Sequence, residues 1–254
     1  MNDRSTDQIQ PSNGPRLFCL LIVAFLASLT ASCAHQPWDI NRYIEALERP
    51  ERDQYQQPEK VIEALSINPG MMVIDIGAGS GYFTRRLAKA VGDTGQVIAI
   101  DIEQKMLNYN RRELEKLGLD KRVRFILAGS ESPSFSGNNA GIVFLCDVYH
   151  HLEDHVVYLA NIKPALTQNG RVVIIDYYTD ERSGTLGFSK RHLVPREQVI
   201  KDMEQAGYTL SKEHTFLSRQ YFMEFIPKKQ SDALLEDKDR DLIARPDPYS
   251  LLKG

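Results

Sequence analysis

A chain of 254 residues that is 42% hydrophobic and 26% charged has the composition of a soluble globular protein, with room for one sizeable core and short appendages. Its formal net charge of −3 offers no basic face, so a nucleic-acid partner is not expected. Of the cysteines Cys19, Cys33 and Cys146, only the last falls beyond the N-terminal region. No intramolecular disulfide is therefore expected, and Cys146, inside an apolar run, reads as a buried structural thiol.

The N-terminus is unlike the rest. A polar start with Arg4 and Arg16 leads into an uncharged apolar run, Leu17–Leu29. That run is short for a spanning helix, which needs roughly 20 residues, and has the length of a signal-peptide core. The "LTASC" that follows resembles a bacterial lipobox, with Ala31 and Ser32 before an acylated Cys33; Thr30 departs from the leucine commonest in that motif. A plain cleavable signal and an uncleaved anchor are the alternatives. The resemblance implies a membrane-anchored lipoprotein of the bacterial cell envelope, facing the periplasm once the signal is processed. Residues 1–33 are thus signal peptide and lipobox. Residues 34–57, polar and proline-punctuated, read as a linker and lead-in, and the charged stretch 228–254 as a tail.

Between them, residues 58–227 alternate in type. Helical spacing over 58–67 precedes an apolar strand over 71–76, and a helix over 82–91 precedes a second strand over 96–101. A helix over 103–118 is stopped by Gly118, strands follow over 122–128 and 140–147, then a helix over 155–166 and a strand over 170–178. A helix over 195–207 has proline in its first turn and glycine at its end. Two closely spaced strands, 209–217 and 220–227, close the domain and should pair antiparallel. Unbroken apolar strands alternating with helices predict an α/β fold: a doubly wound, mostly parallel seven-stranded sheet with a C-terminal antiparallel pair.

Ligands of such sheets sit beyond the C-terminal strand ends, at the switch in strand order. The stretch Val73–Phe83, "VIDIGAGSGYF", ends the first strand in a G-x-G-x-G turn. The dinucleotide fingerprint G-x-G-x-x-G would need glycine at position 82, where Tyr82 stands, which counts against a nicotinamide oxidoreductase. The turn resembles the D-x-G-x-G-x-G motif of class I S-adenosylmethionine-dependent methyltransferases. That resemblance extends over residues 58 to about 226, through "VIAIDIE", "AGSES", "LCDVYHHLED" and "LTQNGRVVIID". It implies S-adenosylmethionine as cofactor, with Asp75 organising the turn near the amino-acid end and Gly77, Ala78, Gly79 and Gly81 lining it. Asp101 would accept from the ribose hydroxyls and Ile102 would pack on adenine. Ser130 and Glu131 replace the aspartate that many relatives carry at the adenine amine, and Asp147 would stand near the methionine amine or the transfer site.

Methyl transfer is an in-line displacement in which the protein aligns the partners and excludes water; a base is needed only for a protonated nucleophile. His150 and His151 are the candidates, each with a structural alternative as helix cap or solvated side chain. His151 and His155 are four apart, but Leu152 stands where the zinc-protease motif requires glutamate, so no metal is expected. Tyr177, Tyr178 and Lys190–Pro195, including His192, fall where the family forms its acceptor pocket, and Tyr55 and Gln57 where relatives close over the cofactor. The expected function is methyl transfer to a small-molecule or lipid-like acceptor. A non-catalytic envelope binding protein retaining the fold is the alternative, because an exported domain is separated from cytosolic S-adenosylmethionine.

Overall fold

The computed structural model describes residues 39–129, 139–186 and 189–228. The apolar run Leu17–Leu29, Cys33, Ser130, Glu131 and the tail from residue 229 lie outside the described residues. Among the described residues no helix is long and apolar enough to cross a membrane.

Three short helices come first: α1 (Ile40–Leu47), α2 (Glu51–Gln56) and α3 (Pro58–Leu65). The first two fall inside the stretch that reads as linker. Ile40 and Ile44 are spaced to share one helix face, and they pack on Met106 with Leu47 alongside. Pro50 and Pro58 punctuate the sequence without excluding helix, because proline is tolerated where a helix begins and no N–H is required.

The domain then alternates: β1 (Met72–Ile76), α4 (Tyr82–Ala90), β2 (Gln96–Asp101), α5 (Gln104–Lys116), β3 (Val123–Leu127), β4 (Ala140–Cys146), α6 (His155–Ile162), β5 (Leu166–Tyr177), α7 (Arg196–Gln205), β6 (Tyr208–His214) and β7 (Gln220–Pro227). Helix α6 stops short of the expected residue 166 because Pro164 lacks the N–H to continue it. Strand β5 starts earlier than expected, where Leu166 pairs with Ala140.

One seven-stranded sheet has the order β3-β2-β1-β4-β5-β7-β6. Its first five strands pair in parallel, and β7 runs antiparallel to both β5 and β6. This is the expected doubly wound sheet with its closing antiparallel pair. Successive strand residues point to opposite faces. Ile74, Ile98, Val143 and Ile174 join Leu159 of α6 and Met203 of α7 in one core. Val73, Val97, Phe144 and Val173 join Leu65 of α3 and Leu87 of α4 in the other. Strand order reverses between β1 and β4, so the C-terminal ends of those two strands flank the crevice where such sheets take ligands.

Candidate functional site

The turn after β1 is fastened before any ligand is considered. The N–H groups of Gly77 and Ala78 both donate to the Ile100 carbonyl, at 2.9 and 3.0 Å, tying the turn to β2. Gly81 has φ +89°, and a Cβ on it would stand 2.1 Å from Asn110 Oδ1. Gly77 has φ +71°, and a Cβ there would run into the Val148 side chain at 2.4 Å. Both positions therefore demand glycine on backbone and steric grounds. Asp75, buried under the turn, accepts from Thr84 Oγ1 at 2.6 Å, and that hydroxyl accepts from Asn110 Nδ2 at 3.0 Å. Burial raises the Asp75 pKa to about 7, against the lowering effect of Thr84. Asp75 thus organises the turn from beneath, through α4 and α5.

Asp101 ends β2 in a different manner. One carboxylate oxygen accepts from Gly79 N–H at 2.7 Å and the other from Glu103 N–H at 2.8 Å. Burial raises its pKa, and those backbone donors oppose the rise. A carboxylate has about four lone-pair positions, so capacity is left for a ribose hydroxyl beyond these donors. On either side stand apolar side chains turned to solvent: Ile102 is 75% exposed and Leu127, register partner of Asp101 on β3, is 52% exposed. An acceptor pair between two exposed aliphatic side chains fits a nucleoside, with ribose on Asp101 and the base against Ile102. Tyr82 is buried, with Arg52 at 4.0 Å and Arg86 at 4.4 Å from its ring centroid, and its hydroxyl donates to Asp53. The position where a dinucleotide fold keeps its third glycine is filled by a packed aromatic ring. The site fits S-adenosylmethionine and not a pyrophosphate.

Helices α1 and α2 form a strap over these strand ends. Leu47 lies 3.6 Å from where a Gly79 Cβ would be, and Glu48 pairs with Arg85 of α4 at 2.6 Å. Tyr43 is within electrostatic reach of both Asp101 and Asp147. Arg52 donates to the Leu47 carbonyl at 2.9 Å, to Gln56, and to Asp147 at 3.4 Å. Asp147, just past β4 with φ +57°, also accepts from Gln56 at 2.8 Å and from Gln220 of β7. Burial raises its pKa to about 6; Arg52 opposes this and Asp176 adds to it. Cys146 beside it is partly exposed and accepts from Gln56 at 3.3 Å; burial pushes its thiol well above the ordinary value, so it stays protonated.

The two histidines separate. His150 Nδ1 meets both oxygens of Asp176 at 2.8 and 2.9 Å, and its backbone N–H donates to the same carboxylate at 3.2 Å. Both side chains are buried, at 2% and 1% exposure. Burial alone would lower the His150 pKa, but Asp176 overcomes it and the net movement is upward. His151 is exposed; burial of part of its ring, then His150 and His192, lower its pKa. His155 is engaged elsewhere, against Asp202 at 3.2 Å and the Tyr149 carbonyl at 3.2 Å. Tyr177 donates to the Tyr55 hydroxyl at 3.2 Å, joining β5 to the strap, and Gln57 donates to the Phe216 carbonyl at 2.7 Å. Arg182 stacks 3.5 Å from the Tyr178 ring centroid.

Asp75, Gly77, Ala78, Gly79, Gly81, Asp101, Ile102 and Asp147 therefore share one end of the sheet, as the reading of the sequence placed them. Sequence reasoning missed Arg52, Gln56, Gln220 and Asp176. Their signal is polar residues in segments otherwise ordinary in composition, and only the spacing of Ile40, Ile44 and Leu47 could have announced the strap.

Residues 67–229 match the family described as "Methyltransferase domain". Among curated proteins the chain is 28% identical, over 116 residues and 46% of each chain, to the ubiquinone/menaquinone biosynthesis C-methyltransferase of Shewanella halifaxensis. It is 27% identical over 152 residues to that of Pasteurella multocida, covering 58% of this chain and 57% of that one. The chain spans about half the length of the curated relatives it matches. Among solved structures, a SAM-dependent methyltransferase from Aquifex aeolicus superposes with TM-score 0.68 at 26% identity, covering 74% of this chain and 98% of that one. The chain belongs to the methyltransferase-domain family, with the fold and the S-adenosylmethionine cofactor of its class I members.

Proposed function

We propose that this chain transfers the methyl group of S-adenosylmethionine to a small-molecule or lipid-like acceptor, from a lipoprotein-type attachment at the bacterial cell envelope. The observation that carries the reading is Asp101, whose two oxygens are each held by one backbone N–H between exposed Ile102 and Leu127. The relatives named as ubiquinone/menaquinone biosynthesis C-methyltransferases support an acceptor of low polarity. The apolar run Leu17–Leu29 and Cys33 support a membrane location.

S-adenosylmethionine supplies an activated methyl on a sulfonium. The residues of the chain hold and align: Asp101 takes the ribose, Ile102 the adenine, and the Gly77–Gly81 turn leaves room for the backbone to approach. The strap α1–α2 excludes water from the strand ends, which favours displacement over hydrolysis. On the acceptor side, the candidates are Tyr55, which meets Tyr177 at the end of β5, Tyr178 beside it, and His151, which lies within electrostatic reach of His192. The exposure and lowered pKa of His151 support it over His150 as the group that receives a proton from an acceptor hydroxyl. His150 is committed to Asp176 and fixes the turn that carries His151.

Calorimetric titration with S-adenosylmethionine, S-adenosylhomocysteine and NADH tests this, with Asp101→Ala alongside. Micromolar binding of the first two, lost in the variant, is the expected result. Binding of NADH alone, or of none of the three by the folded protein, would overturn it; the last outcome turns the reading to an envelope binding protein without turnover.

A further inference from the structure

Helix α2 has six residues and no side-chain cap at its start, too little to hold itself in water. Yet it delivers a buried guanidinium to the end of β4. A buried ion pair of this kind roughly breaks even against apolar packing as a source of stability. Stability is thus a poor reason for the arrangement, and its product is better sought at the far end of the contact. That end is one carboxylate at the edge of the crevice, held by Arg52 and Gln56 from the strap and by Gln220 from β7.

We infer that Arg52 is a positioning residue of the cofactor site: its buried guanidinium keeps the Asp147 carboxylate ionised and fixed, so that the crevice prefers a cationic sulfonium ligand over a neutral thioether. The inference rests on the assignment of S-adenosylmethionine as cofactor. Arg52 has no freedom to do otherwise, being fixed by the Leu47 carbonyl at 2.9 Å, by Gln56, and by the Tyr82 ring at 4.0 Å.

The surroundings of Asp147 explain why such help is needed. Burial and Asp176 of β5 both favour its neutral form, while Arg52 and His150 favour the charged one. Cys146 and the hydroxyls of Tyr43 on α1, Tyr177 on β5 and Tyr221 on β7 also lie within its electrostatic reach and carry no charge near neutrality. Arg52 is the largest of the influences that oppose its burial, ahead of His150 and Gln220. Without it, Asp147 takes up its proton at higher pH, and the attraction for a cation is lost over the same range.

The test uses the full chain and measures dissociation constants for S-adenosylmethionine and S-adenosylhomocysteine between about pH 5.5 and 8.5. Arg52→Met should weaken S-adenosylmethionine about tenfold or more and S-adenosylhomocysteine about threefold or less, and should move the midpoint of binding loss up by about one pH unit. Arg52→Lys, which keeps the charge, should restore most of the midpoint. Asp53→Asn weakens the strap's other hold, on Tyr82, and should leave the ratio of the two affinities unchanged. Equal weakening of both ligands with an unmoved midpoint would reduce Arg52 to a structural residue and overturn the inference, as would no change in either. Should Arg52→Met fail to fold, Asp147→Asn decides: a wild-type preference for the cation in that isosteric variant would sink the idea. A wild-type chain that binds neither ligand removes the cofactor assignment and this inference together; binding with unaltered variants removes this inference alone.

Discussion

The two halves of the crevice hold their carboxylates by different means. On the β1–β3 side, Asp101 is held by N–H groups of its own neighbourhood, Gly79 in the adjacent turn and Glu103 two residues on. On the β4–β7 side, Asp147 is held by Arg52, Gln56 and Gln220, side chains distant in sequence, while Asp176 combines the distant His150 ring with the backbone N–H groups of His150 and Tyr177. Backbone donors come with the fold and resist mutation. Side-chain donors can be replaced one at a time, so the second half is where binding properties are free to change while the first stays constant.

The strongest way to sharpen this contrast is through pH. The Asp75 pKa is raised from 3.8 to about 7, so the folded state retains its proton where the unfolded state has lost it. Its contribution to stability is complete below pH 3.8, declines as pH rises, and is gone above about 7. The span corresponds to at most about 4 kcal/mol. Asp147, raised from 3.8 to about 6, behaves alike over a narrower window. Urea denaturation of Asp75→Asn across this range should show a much flatter decline, with the remainder shared by Asp101 and Asp147; an unchanged slope would contradict the burial argument.

Asp176→Ala comes next. Stripping the buried His150 ring of its partner should cost about 3 kcal/mol of stability, while affinity for S-adenosylmethionine changes by no more than about threefold if Asp101 and the Arg52-held Asp147 keep their positions. A parallel collapse of affinity would break the comparison. Gly81→Ala forces φ +89° on an L-residue and a clash with Asn110. It should lower stability by about 2 kcal/mol and cofactor affinity with it, measured by denaturation and titration on one sample. Ile102→Ser should be the mildest: with 75% of the side chain exposed, the melting temperature should hold while affinity falls by about 1 kcal/mol.

The same division governs how much could be read from the sequence. The glycine turn, Asp75 and Asp101 are legible because local rules write them: a strand, a turn that needs positive φ, and an acid at the next strand end. The sheet is legible because its apolar runs alternate with amphipathic helices. Asp147 is placed at a strand end by register, yet its partners are not, since Arg52 and Gln220 look like ordinary surface residues until the chain folds over them. Strap helix α2 is hidden by polar composition between Pro50 and Pro58, because what holds it is tertiary contact and not an apolar stripe. The His150–Asp176 pair joins two segments, and neither predicts the other.

The strap is also the first described element in the chain, and this gives it a mechanical character. Tension applied at the N-terminal end reaches α1 and α2 before any strand. It would load the Glu48–Arg85 and Arg52–Asp147 contacts one after another, as a strip is peeled, whereas the sheet behind resists with whole ladders of hydrogen bonds. Ligand affinity in this protein should therefore respond to pulling at forces far below those that unfold it.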